Sequence, residues 1–196
     1  MSDSDEGARQ VPPSGRKDAR RNKETLLDAA ATVFVTSGVD APVRDIAAKA
    51  GVGLGTIYRH FPTRADLIIG VYRHQVDACA DAGPALLATS SPHTALGQWI
   101  NLFVDFLVTK HGLAAVLQAD NAGFEALHAY FLDRLLPVCT ELLEAAAVAG
   151  EIRPDIDAYQ LMRGVGNLCI GAESDPRYDA RRMAELLVAG LRRSHH

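Results

Sequence analysis

The stretch Val43–Phe61, VRDIAAKAGVGLGTIYRHF, decides the fold, because it reads as two short helices joined by a glycine turn. In its first half Val43, Ile46, Ala47 and Ala50 recur at helical spacing, which leaves Arg44, Asp45 and Lys49 on or near the opposite, wet face. Gly51 suits the left-handed position just past a helix end, and Gly53 two residues later lets the chain turn sharply. A second helix restarts at Leu54. Its inward positions are Ile57 and Phe61, while Thr56, Tyr58, Arg59 and His60 project outward as donors, a cation and a phenol. Two helices joined in this way form a helix-turn-helix, whose second helix lies in the major groove of DNA while the first crosses the backbone.

The glycines admit another reading. Gly51, Gly53 and Gly55 superficially suggest a dinucleotide-binding loop, but that loop needs a preceding buried strand, a differently spaced third glycine and a downstream acidic residue. The sequence provides none of these.

The segment GVGLGTIYRHFPTRADLI, from Gly51 to Ile68, resembles the end of the DNA-binding domain of TetR-type transcriptional regulators, in which a Gly, a Thr, a Tyr and a Phe recur at the places held by Gly51, Thr56, Tyr58 and Phe61. The likeness runs upstream through RNKETLLDAAATVFVTSG and IAAKAG and downstream to Leu67; the remainder fits that family in length and helical character. Two departures stand out. Ala41-Pro42 replaces the hydroxyl residue that many members carry at the start of the second helix, and Gly53-Leu54-Gly55 replaces a polar opening of the third. Pro is tolerated at a first helical position and Gly is an acceptable, weaker N-cap, so the fold survives. Leu54 offers no hydrogen bond to a base and at most touches a thymine methyl.

The resemblance implies an all-α protein with an N-terminal three-helix DNA-binding domain and a C-terminal helical domain for ligand binding and dimerisation. It implies a DNA-binding regulator, a ligand-responsive repressor that binds a palindromic operator as a homodimer. Phosphate anchoring is expected from Thr56, Tyr58, His60 and Arg64, with Arg20 and Arg21 from the preceding basic cluster. Base reading is expected from Arg44, whose position contacts a base in some members, and from Arg59 or Leu54.

Charge is distributed to match. The chain of 196 residues has a net charge of -4, yet from Arg9 to Arg64 ten Lys or Arg face five acids. A basic amino-terminal part on an acidic remainder is an electrostatic footprint for phosphate. With 48% hydrophobic residues the chain can bury a real core as one large domain or two small ones. The three cysteines, Cys79, Cys139 and Cys169, are far apart and odd in number, so neither a disulfide framework nor a metal site is expected, and no cofactor. No membrane-length apolar run and no signal peptide are read, which predicts a cytoplasmic protein without membrane contact.

Taken in order, residues 1–15 are rich in Ser, Asp, Gly and Pro and read as a disordered tail; residues 16–64 form the helix-turn-helix domain and 65–196 the second domain. A first helix is predicted from about Ala19 to Ser37, with Leu26, Leu27, Ala30, Val33 and Phe34 inward. After Pro62, Thr63 and Asp66 form a capping box for a helix that runs to about Ala82, where Gly83-Pro84 breaks it. Further helices are predicted from Thr94 to Lys110, with a short apolar turn from Leu113 to Leu117 beyond Gly112. Others run from Asn121 to Ala149 with a kink at Pro137, from Tyr159 to Ile170 and from Asp179 to Arg193. The last two carry Leu161, Val165, Leu168 and Cys169, and Leu186, Leu187, Gly190 and Leu191, an apolar surplus expected to form a four-helix homodimer contact.

Two other function classes were weighed. An enzyme is disfavoured because no His-Glu-x-x-His, Gly-x-Ser-x-Gly or Walker motif is present. A helical ligand-binding or adaptor protein without DNA binding leaves the outward quartet Thr56, Tyr58, Arg59 and His60 unexplained. The effector expectation rests on Trp99, Phe103, Phe106, Phe124 and Phe131 at helical spacing, with His128 one turn from Phe124 and Phe131. An apolar or amphipathic small molecule would sit among them, oriented by His128; the competing reading is that these aromatics fill a solid core.

Overall fold

A computed structural model describes residues 13–117, 121–153, 155–170, 172, 175 and 177–193, without the side chains of 13–19, 108–117, 121–122 and 124. Eight helices are present among the described residues: α1 Pro13–Ser37, α2 Val43–Ala50, α3 Leu54–His60, α4 Arg64–Thr89, α5 Pro92–Leu117, α6 Asn121–Val148, α7 Ala158–Cys169 and α8 Ala180–Ala189. The protein is all-α, with an amino-terminal helix-turn-helix followed by a larger helical part.

The head is built around α1. Leu26, Leu27, Ala30 and Phe34 are buried on one stripe, and Ile46 and Ala47 of α2, Ile57 of α3, Phe61 and Leu67, Ile68 and Val71 of α4 close over them. Gly51 ends α2 at φ 67, the left-handed conformation that a side chain at this position would strain, and its N–H donates to Ala48 O at 3.3 Å to close the turn. Gly70 allows α4 to lie on the end of α3: a Cβ there would stand 2.6 Å from Phe61 Cε1. A head of this size buries too little to be robust alone, and α4 supplies the missing wall.

Beyond the head, α4 packs most extensively against α5 and α6, and α8 covers α5 from outside. The indole of Trp99 donates to the Cys79 carbonyl at 2.9 Å, so α5 satisfies a backbone group inside α4 next to the Gly83-Pro84 pair. On the α6 side, Tyr130 Oη and Arg134 Nε donate to Asp77 Oδ1 at 2.7 and 2.8 Å. Tyr130 titrates above the usual tyrosine range, first through burial and then through this bond.

Several boundaries differ from those read in the sequence. Helix α1 starts at Pro13, upstream of Ala19, so residues 13–15 belong to its first turn, where proline costs nothing; residues 1–12 of the expected tail lie outside the described residues. Helix α4 does not break at Gly83-Pro84 but continues to Thr89, and α5 runs through Gly112 to Leu117 as one helix. Packing of long apolar faces outweighs one missing N–H or one glycine when the neighbours hold the helix on both sides. Helix α8 ends at Ala189, earlier than Arg193. The chain beyond it turns into a short antiparallel pairing with the α6–α7 loop, Arg153 N–H to Leu191 O at 3.2 Å and Arg193 N–H to Glu151 O at 3.1 Å.

The expected seam on the last two helices divides. Leu161, Val165, Cys169 and Leu191 are buried within the chain, and Leu168 and Leu187 are half-buried, so these serve the domain's own core, whereas Leu186 and Gly190 stay exposed. Tyr159 and Ile170 of the α7 region and Tyr178 and Met183 at α8 are exposed apolar side chains as well.

Candidate nucleic-acid interface and second-domain interior

The outward surface of the helix-turn-helix follows from where its two helices bury themselves. Ile57 anchors α3 and is 1% exposed, which turns Leu54, Tyr58, Arg59 and His60 to solvent, with Thr56 half-buried beside them. Leu54 is 45% and Tyr58 52% exposed, large apolar surfaces that the head's core does not use. Arg44 stands in the first turn of α2 with its side chain 79% exposed and Asp45 at 3.5 Å. Arg20 and Arg21 lie exposed on α1, and Arg20 is paired with Glu24 one turn on at 2.8 Å. Lys23 Nζ lies 5.6 Å from the centre of the Phe61 ring, a cation of α1 at the end of α3 that the sequence reading did not single out. Arg44 on α2 and Leu54, Tyr58, Arg59 and His60 on α3 are thus exposed, with Thr56 half-buried.

Arg64 is the exception. It opens α4 and turns inward: its Nη2 donates to Ala41 O at 2.7 Å and to Val39 O, both in the loop before α2. No sequence signal marks this, because the path of that loop decides which carbonyls a distant arginine can reach. The start of α4 itself is fixed by the expected capping box, with Asp66 N–H donating to Thr63 Oγ1 at 3.1 Å and Thr63 N–H donating to Asp66 Oδ2 at 3.0 Å.

In the second domain the expected ligand residues form a packed column. Trp99 and Phe103 stack at 5.6 Å with planes 6° apart; Phe103 and Phe106 each stack on Phe131, at 5.9 and 5.8 Å. All four are buried, Trp99 completely. His128 lies at the exposed end of this column, stacked on Phe131 at 5.9 Å. The side chain of Phe124 lies outside the described residues. A cleft of about 260 Å³ opens beside the column between α1, α4 and α5, lined by Asp28, His74, Gln75, Cys79, Asp105 and Phe106. Across its mouth His74 Nε2 meets Asp28 Oδ1 at 2.7 Å, which joins α4 to α1.

The cysteines are buried free thiols, and loss of water pushes Cys79 and Cys139 up to about 12, which keeps them protonated and inert. Among the described residues no cluster of three or more His, Cys, Asp or Glu side chains could hold a metal ion, and no helix is long and apolar enough to cross a membrane.

Comparison with known proteins agrees with this geometry. Residues 26–71 match the family described as bacterial regulatory proteins, tetR family, and residues 91–193 match the C-terminal domain of SbtR-like transcriptional regulators. The chain is 28% identical over 163 residues to the HTH-type transcriptional repressor KstR2 of Rhodococcus jostii, covering 78% of this chain and 80% of that protein. Among solved structures it is similar to the TetR transcriptional regulator SCO0520 of Streptomyces coelicolor, at 36% identity and a TM-score of 0.76, covering 88% of this chain and 99% of that one. A TetR regulatory protein of Mycobacterium vanbaalenii is 31% identical with a TM-score of 0.69, over 91% and 99% of the two chains. The reading helices and the helical second domain thus have the same relatives, and the chain belongs to the TetR family of transcriptional regulators, DNA-binding proteins and not enzymes.

Proposed function

We propose that the chain is a ligand-responsive repressor that binds a palindromic operator as a homodimer. One observation carries the reading: helix α4 packs in the core of the helix-turn-helix at one end and most extensively against the second domain at the other, so it is the main route by which a change in one domain reaches the other. The proposed domain boundary, near residue 64, lies at the start of that helix. Two reading helices must sit about one DNA turn apart, roughly 34–36 Å, and anything that moves α4 changes that spacing.

Phosphate contacts are assigned to Thr56, Tyr58 and His60 with Arg20 and Arg21, and base contacts to Arg44, Arg59 and Leu54; the exposure of all but the half-buried Thr56 supports this. The exposed Tyr159, Ile170, Met183 and Leu186 support a dimer contact through α7 and α8, since an apolar patch of this kind is a liability on a monomer. For the effector, the closed stacking of Trp99 and Phe103 favours the accessible end of the aromatic column, at Phe106, Phe131 and His128, as the place where an amphipathic small molecule would insert.

Sequencing of duplex fragments selected by the purified protein from a random pool tests the reading. An inverted repeat with half-sites one helical turn apart is expected. Recovery of no sequence preference would sink it. Sedimentation of Leu186→Glu provides the second arm: a dimeric wild type and a monomeric variant are expected, and an unaltered dimer removes this face as the contact.

A further inference from the structure

The loop between α1 and α2 poses an accounting problem. Val39 and Ala41 bury their side chains, and the hydrogen bonds that their carbonyls accept are part-buried. Pro42 brings no N–H, and α2 begins without any side-chain cap bond, its Asp45 N–H taking the Pro42 carbonyl at 2.9 Å. The carbonyls of Val39 and Ala41 are instead taken by one nitrogen of Arg64. That arginine is the first residue of α4, and the Thr63–Asp66 box holds its backbone in place.

We infer that Arg64 is a positioning residue for DNA reading, not a phosphate ligand: it clamps the loop that sets the direction of α2 and therefore the placement of Arg44. The inference rests on DNA being read through α2 and α3. Helix α4 is already held to α3 at Gly70 and Phe61 and to α1 at His74 and Asp28. Arg64 adds α2, so that all three helices of the head follow the amino end of α4 as one body. Without the clamp, α2 keeps its buried Ile46 and Ala47 but loses the fixed start from which Arg44 projects.

The two roles make opposite predictions. A phosphate contact contributes equally to every sequence, and its removal lowers the salt slope of binding by about one. A clamp acts on base reading alone. The test uses the full chain, the duplex that the intact protein selects and a scrambled duplex of equal length, with binding read by fluorescence anisotropy over a salt series. Arg64→Gln is expected to weaken the selected duplex about tenfold while changing the scrambled one less than about threefold, with an unchanged salt slope, the scale of one misplaced base contact. Arg64→Lys keeps the charge, but its ammonium ends one bond short of the Nη2 that donates to both carbonyls, so it restores little. In an Arg44→Ala background the effect of Arg64→Gln on selectivity largely vanishes, since both act through one contact.

Equal losses on both duplexes with a slope lower by about one and rescue by lysine would make Arg64 a phosphate ligand and overturn the inference. Unchanged selectivity overturns it as well. Should Arg64→Gln prove too unstable to assay, hydrogen exchange on full-length Arg64→Lys takes its place: faster exchange concentrated in residues 39–50 supports the clamp, and a wild-type pattern there refutes it.

Discussion

The two ends of α4 sit in surroundings built on opposite principles. Around its first turns lies a head whose small core is mostly aliphatic, with only Phe34 and Phe61 as buried rings, and whose Arg44, Tyr58, Arg59 and His60 are turned to solvent. Around its later turns the aromatic residues are turned inward and stacked, with Trp99 completely buried. Aromatic and polar side chains at helical spacing occur in both places. What separates a reading surface from a filling is which face the neighbouring helices cover, and in this chain they leave α3 open and close over α5.

The largest effect should come from the closed region. Phe103 is 1% exposed and lies between Trp99 and Phe131, so Phe103→Ala removes a packed ring and is expected to cost about 3–5 kcal/mol of stability. Urea unfolding reads this as a lower midpoint with an unchanged slope. A loss well under this range would mean that the column can be emptied cheaply. The effector would then belong at its centre and the contrast between the two ends would fail.

How much of this could be read beforehand follows the same division. The head was legible because its signals are local: a left-handed glycine after α2, a proline after α3 and a capping box opening α4 act within a few residues of where they stand. In the second domain the same kinds of signal misled. Gly83-Pro84 and Gly112 read as breakers, yet α4 and α5 pass through them; at Gly83 the helix lies against Val138 of α6 and Trp99 of α5. An aromatic stripe has the same spacing whether it lines a hollow or fills one, so the stacking of Phe103 on Phe131 could not be read from spacing. Nor could the inward turn of Arg64, which depends on carbonyls more than twenty residues away in sequence.

The open region should respond in binding and not in stability. Arg44 is largely exposed and its only described partner is Asp45 at 3.5 Å, a surface pair of little worth. Arg44→Ala is therefore expected to change stability by less than about 0.5 kcal/mol, yet to relax preference at one base pair per half-site by about 1–3 kcal/mol. Repeating the duplex selection with the variant measures this directly. Unaltered selectivity with a uniform loss of affinity would make Arg44 a phosphate contact and leave base reading to α3.

The smallest effect should come from the joint between the two regions, and it is the most informative about how they communicate. Thr63 closes a reciprocal cap: its Oγ1 accepts from Asp66 N–H at 3.1 Å, and its own N–H donates to Asp66 Oδ2 at 3.0 Å. Thr63→Ala removes the first of these and is expected to cost about 1 kcal/mol, the usual loss for a cap. Because the following residue is Arg64, fraying of this turn also loosens the hold on Val39 and Ala41. Affinity for the selected duplex should therefore fall by about two- to threefold while the scrambled duplex is unaffected, a fraction of the roughly 1–3 kcal/mol carried by a base contact. Thr63→Ser, which keeps the hydroxyl, should restore both. If Thr63→Ala melts earlier but reads DNA as the wild type does, the cap only stabilises α4. The link between the closed and open regions would then run through the packing at Gly70 and the His74–Asp28 contact.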